Sequence, residues 1–512
     1  AWWIIAFVLS LSFCFNSIFA VWLKWRDSPI IITFDNKPTL IGDIPFTAVT
    51  ICPLTKTSSK KFNYTDVYRS MFKLDGNDSR KVSENELKVV QIVSQLCNDR
   101  IARDVFDLFN ENYTDSSIQS IISELAPKFD DTFVRCKQFD RWTACDQLLF
   151  PIITEEGLCY VFNGFNINDI VTNELTSEFF GMRNDQPPSN WDLESGYDES
   201  IKNDKYPHRI YGTGNQASII IVLRVDNNDI DHLCSGEVQG FKVIFHPPHD
   251  GPQVLKRYFQ VSPGKTAQFS IDPRFTYSTP NVKKYRPDVT QCYFSSERKL
   301  QFYKKYSQHN CEVECLANFT LTKCGCVKFT MPRTKETKVC GSAKIDCASN
   351  AGNNIYRDGA FYKCKCLPSC VSLSYDADIS IADYDLVSHY SKAQFQPDHV
   401  FNRIDFENST FSRLVISFRE ESFIPSKRDE YYTLSDFLAN SGGLISLCLG
   451  ASTLSFIELL YYFTIRIIFS KRSQQKTKQQ PISTILPTYN SYNQVTGRNT
   501  TIKPIKQMMY LP

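Results

Sequence analysis

The sequence predicts an α+β membrane protein in which two transmembrane helices flank a large disulfide-rich extracellular domain with a β-sheet core. Three observations carry this. Apolar segments stand at both ends of the 512-residue chain, and 16 of its 18 cysteines lie between them. The strongest local signals in that middle region are β-branched and aromatic runs. Composition narrows the class further. The 57 Lys+Arg against 55 Asp+Glu exclude a strongly basic nucleic-acid binder. A chain that is 42% hydrophobic and 22% charged is too apolar to be disordered. Charge is also segregated, with eight basic and no acidic residues from Arg466 onward.

The first helix is expected over residues 1–25. Ala1 to Leu23 carries no acidic or basic side chain, and as helix it reaches about 34 Å against a hydrocarbon core of roughly 30 Å. Trp2, Trp3, Trp22 and Trp25 stand where interfacial aromatics anchor a span. A cleaved signal peptide fits less well, because the apolar run is long and no small-residue cleavage site precedes Lys24. The sequence starts inside this span without Met, so a cytoplasmic segment ahead of it is expected.

The second span, over residues 437–468, is of a different kind. From Phe437 to Ile465 its single charged side chain is Glu458. Such a stretch exceeds a bilayer core and calls for tilt or a break. Gly442-Gly443 and Gly450-Ala451-Ser452 are the expected places, because small residues let backbone approach backbone or line water. A carboxylate facing lipid costs several kcal/mol, so Glu458 is expected to face a bundle interior or an aqueous path. A simple anchor needs none of these features.

The basic residues that follow place that end in the cytoplasm. Two spans then put both termini inside, residues 26–436 outside, and a polar tail at 469–512 that reads as disordered. The cysteines imply an oxidising compartment. Five sequons in the outer region, at Asn63, Asn77, Asn112, Asn318 and Asn408, are candidate glycosylation sites. Asn499 in the tail is expected to stay unmodified.

Within the outer region, Ser83-Glu84-Asn85-Glu86 is a capping box opening a helix through about Leu96. Residues 217–225 and 240–245 read as strands. Leu414, Ile416 and Phe418 alternate with Arg413, Ser417 and Arg419 as a half-buried strand should, leading toward the second span. Asn184 to Tyr206 is polar and reads as a surface loop. There is no internal repeat.

Ten cysteines crowd residues 292–370. Cys311 and Cys315 project from one helix face, and Cys364 and Cys366 share a face if their segment is extended. Two neighbouring bridges can therefore staple a helix to a strand, although spacing alone does not choose a connectivity. A zinc site is disfavoured by ligand spacing and compartment, and no metal is expected. His246-Pro-Pro-His249 reads as a turn. The chain has seven His and no His-Glu-x-x-His, Gly-x-Ser-x-Gly or phosphate-loop motif, which argues against an enzyme.

At this point the sequence resembles the degenerin/epithelial sodium channel superfamily, most closely its insect pickpocket branch, along essentially the whole chain. Phe46-Thr-Ala-Val-Thr-Ile-Cys52 is similar to the family motif after the first span, with Thr47 in place of the usual Pro. Residues 311–370 are similar to its cysteine-rich thumb. Ser441 to Glu458 resembles its pore helix and is the most specific of the three. The family's His-Gly gating motif lies ahead of where this sequence begins.

The resemblance implies a subunit of a trimeric, sodium-selective, amiloride-sensitive-type channel in the plasma membrane, gated through a hand-shaped outer domain with finger and thumb helices. Its partners would be identical or related subunits, membrane lipid and an extracellular stimulus or ligand the sequence does not specify. It implies no cofactor beyond permeant Na⁺. The implied selectivity filter is Gly450, Ala451 and Ser452; Ala439, Asn440, Gly442 and Gly443 fall in the gating region; Glu458 is the carboxylate below the filter. Asn440 stands where acid-sensing members carry Asp, which argues against direct proton gating. The implied disulfides are Cys292 with Cys370, Cys311 with Cys366, Cys315 with Cys364, Cys324 with Cys347, Cys326 with Cys340, Cys136 with Cys145 and Cys97 with Cys159. Cys52 and Cys234 are left without family partners. The competing reading is a non-conducting cysteine-rich cell-surface receptor, in which the second span would be a plain anchor.

Overall fold

The computed structural model describes residues 2–27, 30–74, 80–114, 117–175, 186–198, 200, 206–393 and 408–466. It divides into two units, Ala1–Leu23 with Leu434–Pro512, and Lys24–Thr433.

The larger unit is built on two sheets. Its main strands in chain order are β1 (Ile30–Phe34), β2 (Ala48–Pro53), β3 (Phe133–Gln138), β4 (Arg141–Thr143), β5 (Leu149–Thr154), β6 (Gly157–Phe162), β7 (Ile219–Asp226), β8 (Phe241–His246), β9 (Phe259–Val261), β10 (Lys265–Ser278), β11 (Ser372–Asp383), β12 (Ser409–Phe418) and β13 (Ser426–Glu430). One sheet runs β1-β13-β10-β12-β7-β3-β4, with β11 also paired to β10, and the other runs β9-β8-β2-β6-β5. Along one edge, β10 pairs antiparallel with β11 from Lys265 to Thr276. Its other edge takes β12 at Thr266–Ile271 and then β13 at Thr276–Ser278, both parallel. Phe46 joins the sheets, with its ring edge-on to Phe162 of β6 at 6.3 Å and to Phe418 of β12 at 5.0 Å. All three rings are buried, the geometry that favours aromatic contacts beyond simple area.

Helices cover the flanks. The capping box starts α3 (Glu84–Ser94), which packs with α2 (Tyr64–Met71) and α4 (Asp99–Phe106); α5 (Ile118–Leu125) packs against α3. Further along, α6 (Gln308–Cys324) and α7 (Ser342–Arg357) pack on each other.

Local structure departs from the sequence reading in three places. β12 is not half-buried: Leu414, Ile416 and Phe418 are buried, and so are Phe411, Val415 and Ser417 on its other face. It lies between β10 and β7, with Val134, Val222 and Leu386 packed around its Phe411. The stretch from Asn184 to Tyr206 is not simply a surface loop. Trp191–Asp192 pairs with Gly196–Tyr197, and Trp191 and Tyr197 enter the main core. Polar composition masked two large rings whose burial outweighs the surrounding polar residues. The helix staple in the cysteine cluster also lands on a turn rather than a strand. Cys364 caps the short helix Ala360–Lys363, and Lys365 adopts φ 49°. Arg298 holds the turn by donating to the carbonyls of Cys364 at 2.6 Å and Lys365 at 2.5 Å.

Eight disulfides link 16 cysteines. Cys292–Cys370, Cys311–Cys366, Cys315–Cys364, Cys324–Cys347, Cys326–Cys340 and Cys136–Cys145 are among them. The other two correct the expectation. Cys159 pairs with Cys52, not with Cys97, and Cys97 pairs with Cys234. The cause is sheet register. β2 and β6 are antiparallel with Ile51 opposite Tyr160, which brings Cys52 beside Cys159 with Cα atoms 4.3 Å apart. Cys97 follows α3 where the Asn98 amide donates to the Cys234 carbonyl at 2.9 Å.

Candidate functional site

The smaller unit contains the two apolar segments. Its first helix, α1, spans Trp2–Asp27 and is long and apolar enough to cross a membrane from Trp2 to Arg26. The second segment is broken. It comprises α8 (Leu434–Leu449) and α9 (Thr453–Leu460), followed by a π-helical turn at Tyr461–Ile465. The halves meet at 84°, so the break expected from the glycines falls at Gly450-Ala451-Ser452 rather than at Gly442-Gly443, which lie inside α8.

Each residue of the break has a mechanical role. The Gly450 amide closes the last turn on the Ser446 carbonyl at 2.8 Å, and Gly450 itself takes φ +65°. This left-handed conformation suits glycine and ends the helix. Ser452 then caps α9, its hydroxyl accepting from the Ser455 amide at 3.3 Å while the Ser455 hydroxyl accepts from the Ser452 amide at 3.4 Å. Ala451 is the single residue between a C-cap and an N-cap. The final carbonyls of a helix lack intrahelical donors, and here the Cys448 carbonyl accepts from Ser10 Oγ of α1 at 2.7 Å. One turn away, Cys14 Sγ lies 3.8 Å from the Leu444 carbonyl. α8 therefore turns Leu444 and Cys448 toward α1.

The remaining residues singled out from sequence do not converge with these contacts. Ala439, Asn440, Gly442, Gly443 and Glu458 are exposed on the single chain. Asn440 donates back to the Asp436 carbonyl at 2.9 Å. Ser10 was missed; its signal was a hydroxyl one turn from Cys14, among the few polar residues of an apolar helix that also carries Ser12, Asn16 and Ser17. Thr47, the departure from the family motif, is buried, and β2 begins directly after it. Asn63, Asn112, Asn318 and Asn408 are exposed. Asn77 and residues 469–512 lie outside the described residues. Among the described residues no group of three or more His, Cys, Asp or Glu is placed to hold a metal ion.

Comparison with known proteins gives the family. A family profile described as "Amiloride-sensitive sodium channel" matches residues 1–462. The chain is 27% identical to Pickpocket protein 28 of Drosophila melanogaster, over 94% of this chain and 77% of the relative. It is 22% identical to Sodium channel protein Nach of Drosophila ananassae, over 87% of this chain and 77% of the relative. It is 24% identical to Acid-sensing ion channel 4-B of Danio rerio, over 52% and 48%. With two-sheet, disulfide-rich architecture and a family match along nearly its whole length, the chain belongs to the amiloride-sensitive sodium channel family, whose members are plasma-membrane ion channels rather than enzymes.

Proposed function

We propose that this chain is one subunit of a trimeric, sodium-selective, amiloride-sensitive cation channel, gated through its extracellular domain, with both termini in the cytoplasm. The observation that supports it best is the helix break at Gly450-Ala451-Ser452 inside an apolar segment. Partial dehydration of Na⁺ is offset only by close oxygen ligands, and a symmetric ring of backbone carbonyls from three subunits supplies them. A break of this type frees carbonyls at the end of α8 and keeps side chains small where three chains converge. Glu458 on α9 then contributes a carboxylate on the cytoplasmic side, attracting cations. Permeant Na⁺ is the only ion the mechanism needs, and the stimulus acts on the outer domain.

The test is electrophysiology on a full-length version expressed alone and with related subunits. An inward, amiloride-blocked current is expected. Ser452→Ala shifts the Na⁺/K⁺ permeability ratio. Because Ser455 shares the capping interaction, Ser455→Ala shifts the ratio in the same direction. Ala439→Val raises open probability by hindering closure at an exposed position of α8. Absence of current in every combination, with the protein present at the surface, would rule the channel reading out.

A further inference from the structure

Cys14 of α1 and Cys448 of α8 are the two free cysteines among the described residues. Every bridged cysteine lies in the larger unit, whereas these two thiols share the smaller one. Cys14 is 3% exposed, while Phe13 and Phe15 beside it are 62% and 70% exposed. Its burial is therefore local, and α8 supplies it.

The two helices meet along an antiparallel pair of contacts. Ser10 and Cys14 stand one turn apart on α1, as Leu444 and Cys448 do on α8. Ser10 Oγ donates to the Cys448 carbonyl at 2.7 Å, and Cys14 Sγ lies 3.8 Å from the Leu444 carbonyl. A side chain as short as serine reaches a backbone carbonyl only where the helix backbones run close together. Side chains on a helix lean toward its N-terminus. Cys448 thus leans back over the turn of Leu444, where Cys14 Sγ already sits, and the two thiols lie within hydrogen-bonding reach of each other. Cys448 is half-buried, two residues ahead of Gly450. A reachable thiol with a second thiol beside it is the arrangement in which oxidation ends in a disulfide.

We propose that Cys14 and Cys448 are an oxidation site at which hydrogen peroxide cross-links α1 to the last turn of α8. Cys448, the more accessible sulfur, attacks one peroxide oxygen. The O–O bond breaks, and the thiol proton leaves with the other oxygen as water. Cys448 is then a sulfenic acid, and the peroxide has taken up its two electrons. The Cys14 sulfur next attacks the Cys448 sulfur. The S–S bond forms, the S–O bond breaks, and the departing hydroxide takes the Cys14 proton as a second water. A dithiol reductant reverses the bond by thiol–disulfide exchange. The cross-link fixes the Leu444–Cys448 turn to α1 just ahead of the break at Gly450. This goes beyond the channel reading, because bond formation requires no conduction.

The experiment treats the full-length chain in lipid nanodiscs with hydrogen peroxide, alkylates the remaining thiols after denaturation, and maps peptides without reduction by mass spectrometry. A peptide joining Cys14 to Cys448 is expected after peroxide and not before it, and it should vanish after dithiothreitol. Cys14→Ser removes the second thiol, so the cross-link is lost and dimedone, which traps sulfenic acids, labels Cys448 instead. Cys448→Ser should lose the cross-link and leave Cys14 as a free thiol. Serine is close to cysteine in size, and the eight bridges of the outer domain in the same map establish that each variant is folded. Three results would overturn the proposal. One is an unmodified chain with both thiols still alkylatable after peroxide. Another is a Cys448–Cys448 peptide between subunits in place of the Cys14–Cys448 one. The third is dimedone labelling of Cys448 that is equal with and without Cys14.

Discussion

Gly450 separates two costs that are usually confounded. A Cβ there would meet no atom within 4 Å, yet the backbone sits at φ +65°. Substitution is therefore strained without being crowded in the single chain, and left-handed backbone costs about 1–2 kcal/mol for any L side chain. Gly450→Ala and Gly450→Leu should reduce surface abundance equally, while current falls much further for Leu. Equal currents would mean that three chains do not converge there. Gly240 is the opposite case, because it combines φ +113° with a Cβ position that would collide with the Val261 carbonyl. Gly240→Ala should sharply lower surface expression, since β8 and β9 would have to separate. His246 makes a pH prediction. Burial pushes its folded-state value down to about 4, against about 6.5 for an exposed imidazole. The unfolded chain thus binds a proton the native state refuses, and stability present above about pH 6.5 is lost as pH falls toward 4. The amount is roughly 3 kcal/mol at most. Unfolding midpoints of the full chain between pH 7 and pH 4 should flatten in His246→Gln relative to the unmodified protein.

Among the elements, the disulfides show where chain order and space part company. The Cys97–Cys234 bridge spans 137 residues and Cys52–Cys159 spans 107. Cross-links that close long loops typically stabilise by about 2–5 kcal/mol. Cys52→Ser should leave a free thiol at Cys159 and keep Cys234 oxidised; a free thiol at Cys234 with Cys159 oxidised would restore the pairing implied by family resemblance. In the cysteine cluster, Cys311–Cys366 and Cys315–Cys364 fix α6 to a turn whose carbonyls Arg298 also holds. The six-residue alternation in β12 was read correctly as a strand, but its second buried face could not be foreseen. Whether a strand is covered on one side or two depends on neighbours far away in sequence.

For the whole molecule, the notable connection is β1 with β13. They pair antiparallel from Ile30 opposite Glu430 to Phe34 opposite Ser426. β1 follows α1 in the chain and β13 precedes α8, so the outer domain joins the two leads to the apolar segments directly. β13 is tied inward by Arg428, which is buried and donates through Nη1 to the Thr290 carbonyl at 3.1 Å, just before the Cys292–Cys370 bridge. Arg428→Met should weaken that tie. The expected outcome is a reduced stimulus-evoked current with unchanged Na⁺/K⁺ selectivity, measured on channels at equal surface abundance. A changed selectivity with normal activation would show that Arg428 acts through the pore instead.

Much of this protein was legible from its linear order. Apolar length, the Gly450-Ala451-Ser452 break and the capping box at Ser83 are local properties, fixed by helix geometry, backbone freedom and neighbouring hydrogen bonds. The family assignment rested on motifs with the same local character. Tertiary structure alone decided which cysteine met Cys159, which faces of β12 were covered, and that Trp191 belonged to the core. Those outcomes depend on strand register and on packing between segments distant in the chain, where no single window of sequence carries the energy difference between one partner and another.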